Sequence, residues 1–197
     1  MNKSLFRRLS DAHPVAVVDL NEQYRMNEDI MTLSNKLIYS DRLRCGSPEV
    51  ASQGLKILSR NYLARLHLNS TCDRRDCWLD RVLDDGCKAI FIDTDNVPAF
   101  DSRVGDLVQN IIEARLVGQV TEAMLRSGVR QKQIGVITLY RQQIKLLSYL
   151  LEDWKDIEIL TADRSQGRDK DCIIISMVRS NDLGQVRLPC NLSLLLR

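Results

Sequence analysis

The sequence lacks any long apolar run. No stretch approaches the roughly 18 residues that a membrane-spanning helix needs, and the first residues are polar and basic, without the apolar core of a secretion signal. These absences predict a protein that neither spans a membrane nor carries a signal for secretion. We therefore expect no membrane partner.

Paired cysteine spacing is also absent. The chain has six cysteines but no C-x-x-C, which is typical of reduced thiols in a cytosolic or nuclear protein. A zinc site could be considered where several candidate ligands lie close in the sequence, but their spacing matches no zinc module, and free cysteines are commonly buried apolar residues. We predict no metal site from these residues: His67, Cys72, Cys77 and Cys87.

An excess of either charge is missing as well. The 28 Lys and Arg residues against 26 Asp and Glu residues leave a formal net charge of +2, too small to indicate a nucleic-acid partner by itself. The hydrophobic fraction of 44% and the charged fraction of 27% are those of an ordinary globular protein. At 197 residues, one domain is the simplest expectation.

Apolar, β-branched runs alternate with helical patterns, which predicts an α/β fold with a parallel sheet flanked by helices. Asn27 is the expected cap of a helix whose buried stripe is Ile30, Leu33, Ser34, Leu37 and Ile38. Further helices are expected over residues 106–126 and from Arg141 to Leu151, and residues 59–88 read as an irregular insertion. Strands are expected at residues 15–20, 55–58, 89–94, 133–138, 157–160 and 173–175.

A polar loop lies between the last two of these strands. It reads Thr161-Ala-Asp163-Arg-Ser-Gln166-Gly167-Arg168-Asp169-Lys-Asp171, and loops held at the end of strands are common ligand sites, although an ordinary solvated loop has the same composition. The string resembles the T-x-D-x-x-Q-G-x-E-x-D motif of superfamily-1 helicases of the nonsense-mediated-decay and replication group, with Asp169 where Glu is usual. The resemblance implies nucleotide binding by Gln166, Gly167, Arg168 and Asp169.

A second motif, Gln23-Tyr24-Arg25-Met26, precedes the capped helix and resembles the same helicases. An aromatic face suits a purine, and a planar, always-charged guanidinium suits a phosphate oxygen. The resemblance implies that Gln23 and Tyr24 bind the nucleotide, with Tyr24 against the adenine. It implies that Arg25 is the catalytic residue, reaching the γ-phosphate. The plain alternative is a packed tyrosine beside a surface arginine.

Two further motifs occur in the family's order. Thr138-Leu-Tyr140-Arg-Gln-Gln143 resembles I-T-P-Y-x-x-Q, and the pattern implies that Thr138, Tyr140, Gln143 and Thr161 bind nucleic acid. A strand-end hydroxyl can donate to a phosphate oxygen without reading a base. Arg141, Lys145, Arg164, Arg168 and Lys170 would add positive charge there. Glu113, in Asn-x-x-Glu, either orients neighbouring arginines or lies on a solvated helix face.

Together these motifs resemble the second RecA-like motor domain of such a helicase, over residues 1–182, followed by a divergent tail over 183–197. The greatest similarity is to the eukaryotic replication helicase-nucleases of Okazaki-flap processing. The resemblance implies the motor half of a 5′-to-3′ DNA helicase of replication and repair. It implies single-stranded DNA, the first RecA-like domain of the same protein and replication or repair factors as partners, in the nucleus and also the mitochondrion.

Some parts of such a helicase are missing from the sequence. No Gly is followed by Lys, so there is no phosphate-loop signature, and there is no Asp-Glu pair to hold magnesium. The resemblance implies that ATP and Mg²⁺ are held mainly by the absent first motor domain, and that an iron–sulfur cluster belongs only to the absent nuclease part. The last helicase motif has no good match in the tail, which indicates a fragment. We predict that this chain alone is inactive and is an enzyme only as part of a parent helicase.

Two other functions remain open from the sequence. One is an RNA helicase of the decay or termination type, because no reader of the ribose 2′-hydroxyl can be identified in these motifs. The other is a truncated, non-catalytic module that binds nucleic acid or protein and keeps a motor fold. An upstream phosphate-loop domain in the same reading frame would separate the helicase from the binding module.

Overall fold

The structure is a computed structural model that describes residues 3–68, 77–180 and, as a backbone path, 192–196. The chain forms two compact units, Met1–Gln53 and Gly54–Arg197. The sequence did not indicate the boundary at Gln53.

The first unit is built from short helices around a two-stranded parallel pair. In that pair Glu22 is opposite Arg44 and Gln23 is opposite Cys45. The elements in chain order are α1 Leu5–Ala12, a 3₁₀ turn Pro14–Ala16, β1 Glu22–Gln23, α2 Glu28–Ser34, a π-helical turn Asn35–Tyr39, β2 Arg44–Cys45 and α3 Pro48–Ser52.

The strand predicted over residues 15–20 is wrong. Pro14 instead begins a 3₁₀ turn, with the Val17 N–H donating to the Pro14 carbonyl at 3.3 Å, and Val15 is 99% exposed. A β-branched run becomes a strand only when a neighbour completes its hydrogen-bond ladder. The described part of this unit pairs β1 with β2 and provides no such neighbour for residues 15–20.

The cap of α2 is confirmed but its predicted buried stripe is wrong. Oδ1 of Asn27 accepts the Asp29 N–H at 2.8 Å. The buried positions are Met31 and Asn35, whereas Leu33 is exposed and Leu37 is 75% exposed. The π-helical turn accounts only for the positions at its end, Leu37 and Ile38, because its extra residue rotates those side chains relative to a regular α-helix.

The second unit is an α/β layer structure. Its sheet has the strand order β3-β9-β8-β6-β7, and β4 and β5 form a separate antiparallel hairpin. The elements are α4 Asn61–Leu68, α5 Trp78–Val82, β3 Ala89–Asp93, β4 Ser102–Val104, β5 Leu107–Gln109, α6 Ile111–Arg126, a 3₁₀ turn Gln131–Gln133, β6 Ile134–Thr138, α7 Arg141–Leu150, β7 Glu158–Thr161, α8 Ala162–Ser165, β8 Cys172–Ser176 and β9 Leu192–Leu196.

The expected α/β class is confirmed. Strand β6 lies between β7 and β8 and pairs in parallel with both, as continuous apolar runs in a parallel sheet predict. Strand β9, within the expected divergent tail, is antiparallel to both β3 and β8. The sheet is therefore mixed, with its parallel part at the motifs.

Three predictions for this unit are wrong: the start of one helix, the presence of one strand and the irregular character of one region. The long helix begins at Ile111 and not at residue 106, because Gly105, at φ +61°, closes the hairpin of β4 and β5 and Asn110 then caps α6. Residues 55–58 form no strand, and the Leu58 N–H instead donates to the Ser127 carbonyl at 3.0 Å. The region 59–88, expected to be irregular, contains α4 and α5.

The core of the second unit lies between α6 and the parallel strands. One face of α6 is buried, and Sδ of its Met124 lies 3.7 Å from Sγ of Cys172 on β8. Ile134 and Val136 of β6 and Leu147 of α7 are also buried. Close packing here gives the carboxyl ends of the strands a rigid base. Within the described ranges, no helix has the length and apolar character needed to cross a bilayer.

Candidate nucleotide and nucleic-acid sites

In the first unit, Gln23 holds the loop that follows β1. Its Oε1 accepts the backbone N–H groups of Arg25 at 2.8 Å and Met26 at 2.7 Å. Its Nε2 donates to the Met26 carbonyl at 2.7 Å and to Sγ of Cys45 at 3.1 Å. The half-buried amide, which the resemblance linked to the nucleotide, is thus engaged in fixing the turn.

A second set of bonds holds the same loop from its other side. Nε2 of Gln53 donates to the Arg25 carbonyl at 2.6 Å. Nδ2 of Asn27 donates to the carbonyls of Ala51 and Gln53, both at 2.8 Å. The backbone of Arg25 is therefore braced through both its N–H and its C=O, while its side chain is exposed. Bracing of this kind limits how far a guanidinium must be ordered when it binds a phosphate.

The ring of Tyr24 is 65% exposed. Its hydroxyl donates to Oε2 of Glu22 at 3.2 Å. That hydrogen bond, together with the negative charge of Glu22, raises the pKa of Tyr24 above its usual value, because an acceptor carboxylate favours the neutral phenol. Tyr24 is an uncharged aromatic surface at physiological pH, as a tyrosine with the ordinary pKa is as well.

In the second unit, three hydroxyl side chains end three neighbouring strands. Thr138 of β6 is in register with Thr161 of β7 and with Ser176 of β8. Residues in register on adjacent strands project to the same face, so the three form one row at the carboxyl edge. Thr138 and Ser176 are fully buried and Thr161 is half-buried. Tyr140, also half-buried, is the first residue before α7.

The structure changes the part that Gln143 and Thr138 play. The amide of Gln143 is fully buried: Oε1 accepts the Asn110 N–H at 2.9 Å, and Nε2 donates to the Asn110 carbonyl at 3.1 Å and to Oγ of Ser176 at 3.2 Å. Thr138 is equally enclosed. Direct contact with a nucleic acid, implied for both by the resemblance, is not open to them in this structure; they build the edge instead.

Glu113 does not lie on a solvated helix face. Its carboxylate is buried, and its two oxygens accept the backbone N–H groups of Met177 and Val178, each at 2.7 Å. Val178 has a φ of +72°, which is uncommon for a β-branched residue. Nδ2 of Asn110 donates to its carbonyl at 3.0 Å. Together these bonds hold a strained turn just beyond β8.

The turn is followed by an ion pair between Arg179 and Asp101. Nε of Arg179 lies 2.8 Å from Oδ2 of Asp101, and the Ser180 N–H donates to the same oxygen at 3.2 Å. The Asp101 N–H in turn donates to the Ser180 carbonyl at 2.8 Å. Both charged side chains are largely shielded from solvent, so this pair is screened less than a surface pair. It ties the turn to the segment that enters the β4–β5 hairpin.

The stretch of residues 166–171 runs back along the sheet. Gly167 has a φ of +78° and redirects the chain after α8. Nζ of Lys170 lies 3.1 Å from Glu158, the first residue of β7, and donates to the Lys132 carbonyl at 3.0 Å. Gln166, Arg168 and Asp169 are exposed. The residues expected to bind nucleotide in this unit, Gln166 to Asp169, are therefore followed directly by Lys170, which is held near the amino ends of the strands. Thr161, in contrast, lies at the carboxyl end of β7.

The expected positive charge is only partly available. Lys170 is nearly enclosed and paired with Glu158, and Arg168 lies 4.0 Å from the same carboxylate. Arg141, Lys145 and Arg164 are exposed. The charge that can reach a phosphate backbone is therefore concentrated in these three residues, on α7 and α8.

Comparison with known sequences identifies the family. A family model described as an AAA domain matches residues 1–191. The chain belongs to this AAA-domain family.

The relatives of this AAA-domain chain are consistent in name. The DNA replication ATP-dependent helicase/nuclease JHS1 of Arabidopsis thaliana is 42% identical over 182 residues, which are 92% of this chain and 13% of the relative. The enzymes named DNA replication ATP-dependent helicase/nuclease DNA2 are 44% identical in Saccharomyces cerevisiae, with 92% of this chain and 12% of the relative covered, and 40% identical in Homo sapiens, with 94% and 18% covered. The resemblance to superfamily-1 helicases of the replication helicase-nuclease type is confirmed.

The AAA-domain chain spans only 12% to 18% of the length of these relatives. The relatives are ATP-dependent enzymes by name.

Several residues at and around the carboxyl edge of β6, β7 and β8 were missed in the sequence analysis. Asn110 was noted only as part of Asn-x-x-Glu113, yet that spacing is the capping-box signature, and Oδ1 of Asn110 does accept the Glu113 N–H at 2.9 Å. Ser176 was also missed, because only the pairing of β8 with β6 in the structure brings it beside Thr138. Of the zinc candidates, Cys72 lies outside the described residues. The residues that are described contain no group of three or more potential metal ligands from His, Cys, Asp and Glu.

Glu113→Ala should lower the free energy of unfolding of the AAA-domain chain by about 2 to 5 kcal/mol. The change leaves the N–H groups of Met177 and Val178 buried without their acceptor, and each such loss costs about 1 to 3 kcal/mol. The control is Glu122→Ala on the same helix, whose 3.7 Å pair with Arg126 is exposed and worth at most about 1 kcal/mol. Urea unfolding measures both, and equal losses would contradict the role assigned to Glu113.

Proposed function

We propose that this chain is the second motor half of an ATP-dependent DNA helicase of replication and repair. In this proposal Tyr24 stacks on the adenine of ATP, and Arg25 stabilises the charge that develops on the γ-phosphate. The carboxyl edge of β6, β7 and β8 holds the backbone of a single DNA strand. The observation that carries the proposal is the braced loop Gln23–Met26, whose aromatic and cationic side chains point outward from a fixed backbone.

The geometry of Arg25 supports the catalytic role. Its N–H and its carbonyl are each hydrogen bonded, so the start of its side chain is held in place. Only the flexible part of the side chain then needs to be ordered against a phosphate. Preorganised positive charge of this kind acts on the transition state of phosphoryl transfer without a large reorganisation cost.

The nucleic-acid edge suits a motor that moves over any sequence. Thr161 and Tyr140 are accessible there, and exposed Arg141, Lys145 and Arg164 lie on the helices that adjoin β6 and β7. Hydroxyls and cations bind phosphate oxygens, which are identical at every nucleotide. Thr138 and Gln143 are buried and stabilise this edge through hydrogen bonds.

The exposed Asp169 would meet the nucleotide ribose. It takes the position of a Glu in the related motif and is one methylene shorter, so a direct hydrogen bond to a ribose hydroxyl would be longer or bridged by water. Gly167, at φ +78°, provides the backbone turn that precedes it. Gln166 and Arg168, both exposed, would flank the same nucleotide.

The remaining parts of the reaction belong to other segments in this proposal. The first RecA-like domain would wrap the β- and γ-phosphates and hold Mg²⁺, because this sequence contains no Gly-Lys pair. An iron–sulfur cluster would belong to a nuclease segment. Replication and repair factors are the expected partners. In this proposal the protein acts in the nucleus, with the mitochondrion as a second compartment.

Arg25→Lys and Arg25→Ala, made in the complete helicase, should each reduce ATP turnover by roughly 10³-fold or more, the scale of an arginine finger. Lys keeps the charge but loses the planar, bidentate fork. Binding of single-stranded DNA without nucleotide should stay near normal. Arg42→Lys is the control, because its 2.8 Å pair with Asp19 is exposed. Near-normal turnover in Arg25→Lys would rule out the finger.

Asp169→Ala should raise the KM for ATP of the complete helicase, and Asp169→Glu should lower it, because the longer side chain reaches the ribose directly. The difference between the two variants should disappear with 2′,3′-dideoxy-ATP, which lacks both ribose hydroxyls. Asp153→Ala, another exposed acidic change, is the control. A difference that persists with the dideoxy nucleotide would show that Asp169 acts elsewhere.

The 197-residue chain by itself should hydrolyse no ATP. Nothing in its sequence has the form of a phosphate loop that could wrap the β- and γ-phosphates. The measurement is phosphate release by the purified chain, compared with the double variant Tyr24→Ala, Arg25→Ala. Turnover above that of the double variant would contradict the prediction.

A further inference from the structure

Gly46 directly follows β2 in the first unit, and its backbone does not explain why it is a glycine. Its N–H donates to the Gln23 carbonyl at 2.8 Å, continuing the ladder between β1 and β2. The glycines with positive φ are Gly105, Gly128 and Gly167, and Gly46 is not one of them. Its backbone conformation would therefore accept an L-amino acid without strain.

The ring of Tyr24 occupies the space that a side chain at Gly46 would need. A β-carbon added there would lie 2.6 Å from Cε2 and closer still to Cζ and Cε1. Cζ is the carbon that bears the hydroxyl, and Cε1 and Cε2 are the ring carbons bonded to it. A carbon this close to all three lies over the ring face and not beyond its edge. One face of Tyr24 is thus covered by the Gly46 backbone.

We propose that Gly46 is a positioning residue for Tyr24, and this inference rests on the proposed adenine-stacking role of that tyrosine. The missing side chain lets the ring lie flat against the end of β2, with its hydroxyl held by Glu22 at 3.2 Å. A planar ring supported on one face presents the opposite face to a purine. A purine can then stack only on the face of the Tyr24 ring that Gly46 does not cover. The support therefore determines the orientation in which Tyr24 meets the nucleotide.

The same geometry predicts that a side chain at Gly46 moves the ring and leaves the fold intact. The contact is with the outer end of an exposed side chain, which can swing aside without opening a cavity. The displaced hydroxyl would lose its bond to Glu22, and the pKa of Tyr24 would fall back toward its ordinary value. Nucleotide affinity would fall because the stacking face is no longer held.

The first experiment observes the ring in the 197-residue chain without nucleotide. In chains carrying ¹³C-labelled tyrosine, Gly46→Ala should shift the Tyr24 ring resonances and lower the pH at which they titrate. Tyr24→Phe assigns the signal. The control is Gly118→Ala within α6, where an added β-carbon meets no atom within 4 Å. Unchanged Tyr24 resonances in Gly46→Ala would overturn the proposal.

The second experiment measures ATP turnover by the complete helicase as a double-mutant cycle. Gly46→Ala should raise the KM for ATP about five- to tenfold with little change in kcat, the lower range for a lost base–aromatic stack. Combined with Tyr24→Ala, it should raise the KM no further. A full additional increase in the double variant would overturn the positioning role, because Gly46 would then act without the ring.

The two experiments separate this inference from the function on which it rests. If Tyr24→Ala leaves the KM for ATP unchanged, adenine stacking is refuted. The resonances of the nucleotide-free chain still decide whether Gly46 positions the ring. If the resonances shift in Gly46→Ala and the KM rises only when Tyr24 is present, both proposals are supported.

Discussion

The candidate nucleic-acid edge depends on one buried carboxylate. Glu113 accepts two successive backbone N–H groups just after β8, and this is the bond pattern that an ionised carboxylate satisfies best. It permits the left-handed conformation of Val178, which would otherwise be costly. The turn so formed directs Arg179 to Asp101, so a side chain from α6 determines where the chain goes after leaving the sheet.

The buried amide of Gln143 also stabilises this edge. Gln143 uses its acceptor oxygen and both N–H donors in hydrogen bonds to Asn110 and Ser176. These bonds join α7 to the start of α6 and to the end of β8. An amide used in this way cannot also bind a ligand. An apolar residue of the same size would leave the backbone N–H and carbonyl of Asn110 and the hydroxyl of Ser176 without this partner in a buried position, which is costly.

The first unit follows the same rule at a smaller scale. Gln23 binds the backbone of Arg25 and Met26, and Gln53 and Asn27 complete the bracing. The polar groups that hold the loop are turned inward, and the residues proposed for chemistry, Tyr24 and Arg25, are turned outward. Holding the backbone while leaving the ends of the side chains accessible is how a site is preorganised without being closed.

The sequence by itself determined the parts that depend on local pattern. The three parallel strands β6, β7 and β8, the cap at Asn27 and the motifs that mark the family are all readable over a few neighbouring residues, because periodicity and capping are short-range effects. Only the tertiary structure decided which motif residues remain accessible. Residues 15–20 needed a partner strand, Gln143 meets Asn110 33 positions away, and Glu113 meets Val178 65 positions away. Such contacts follow from how elements pack, and no local pattern records them.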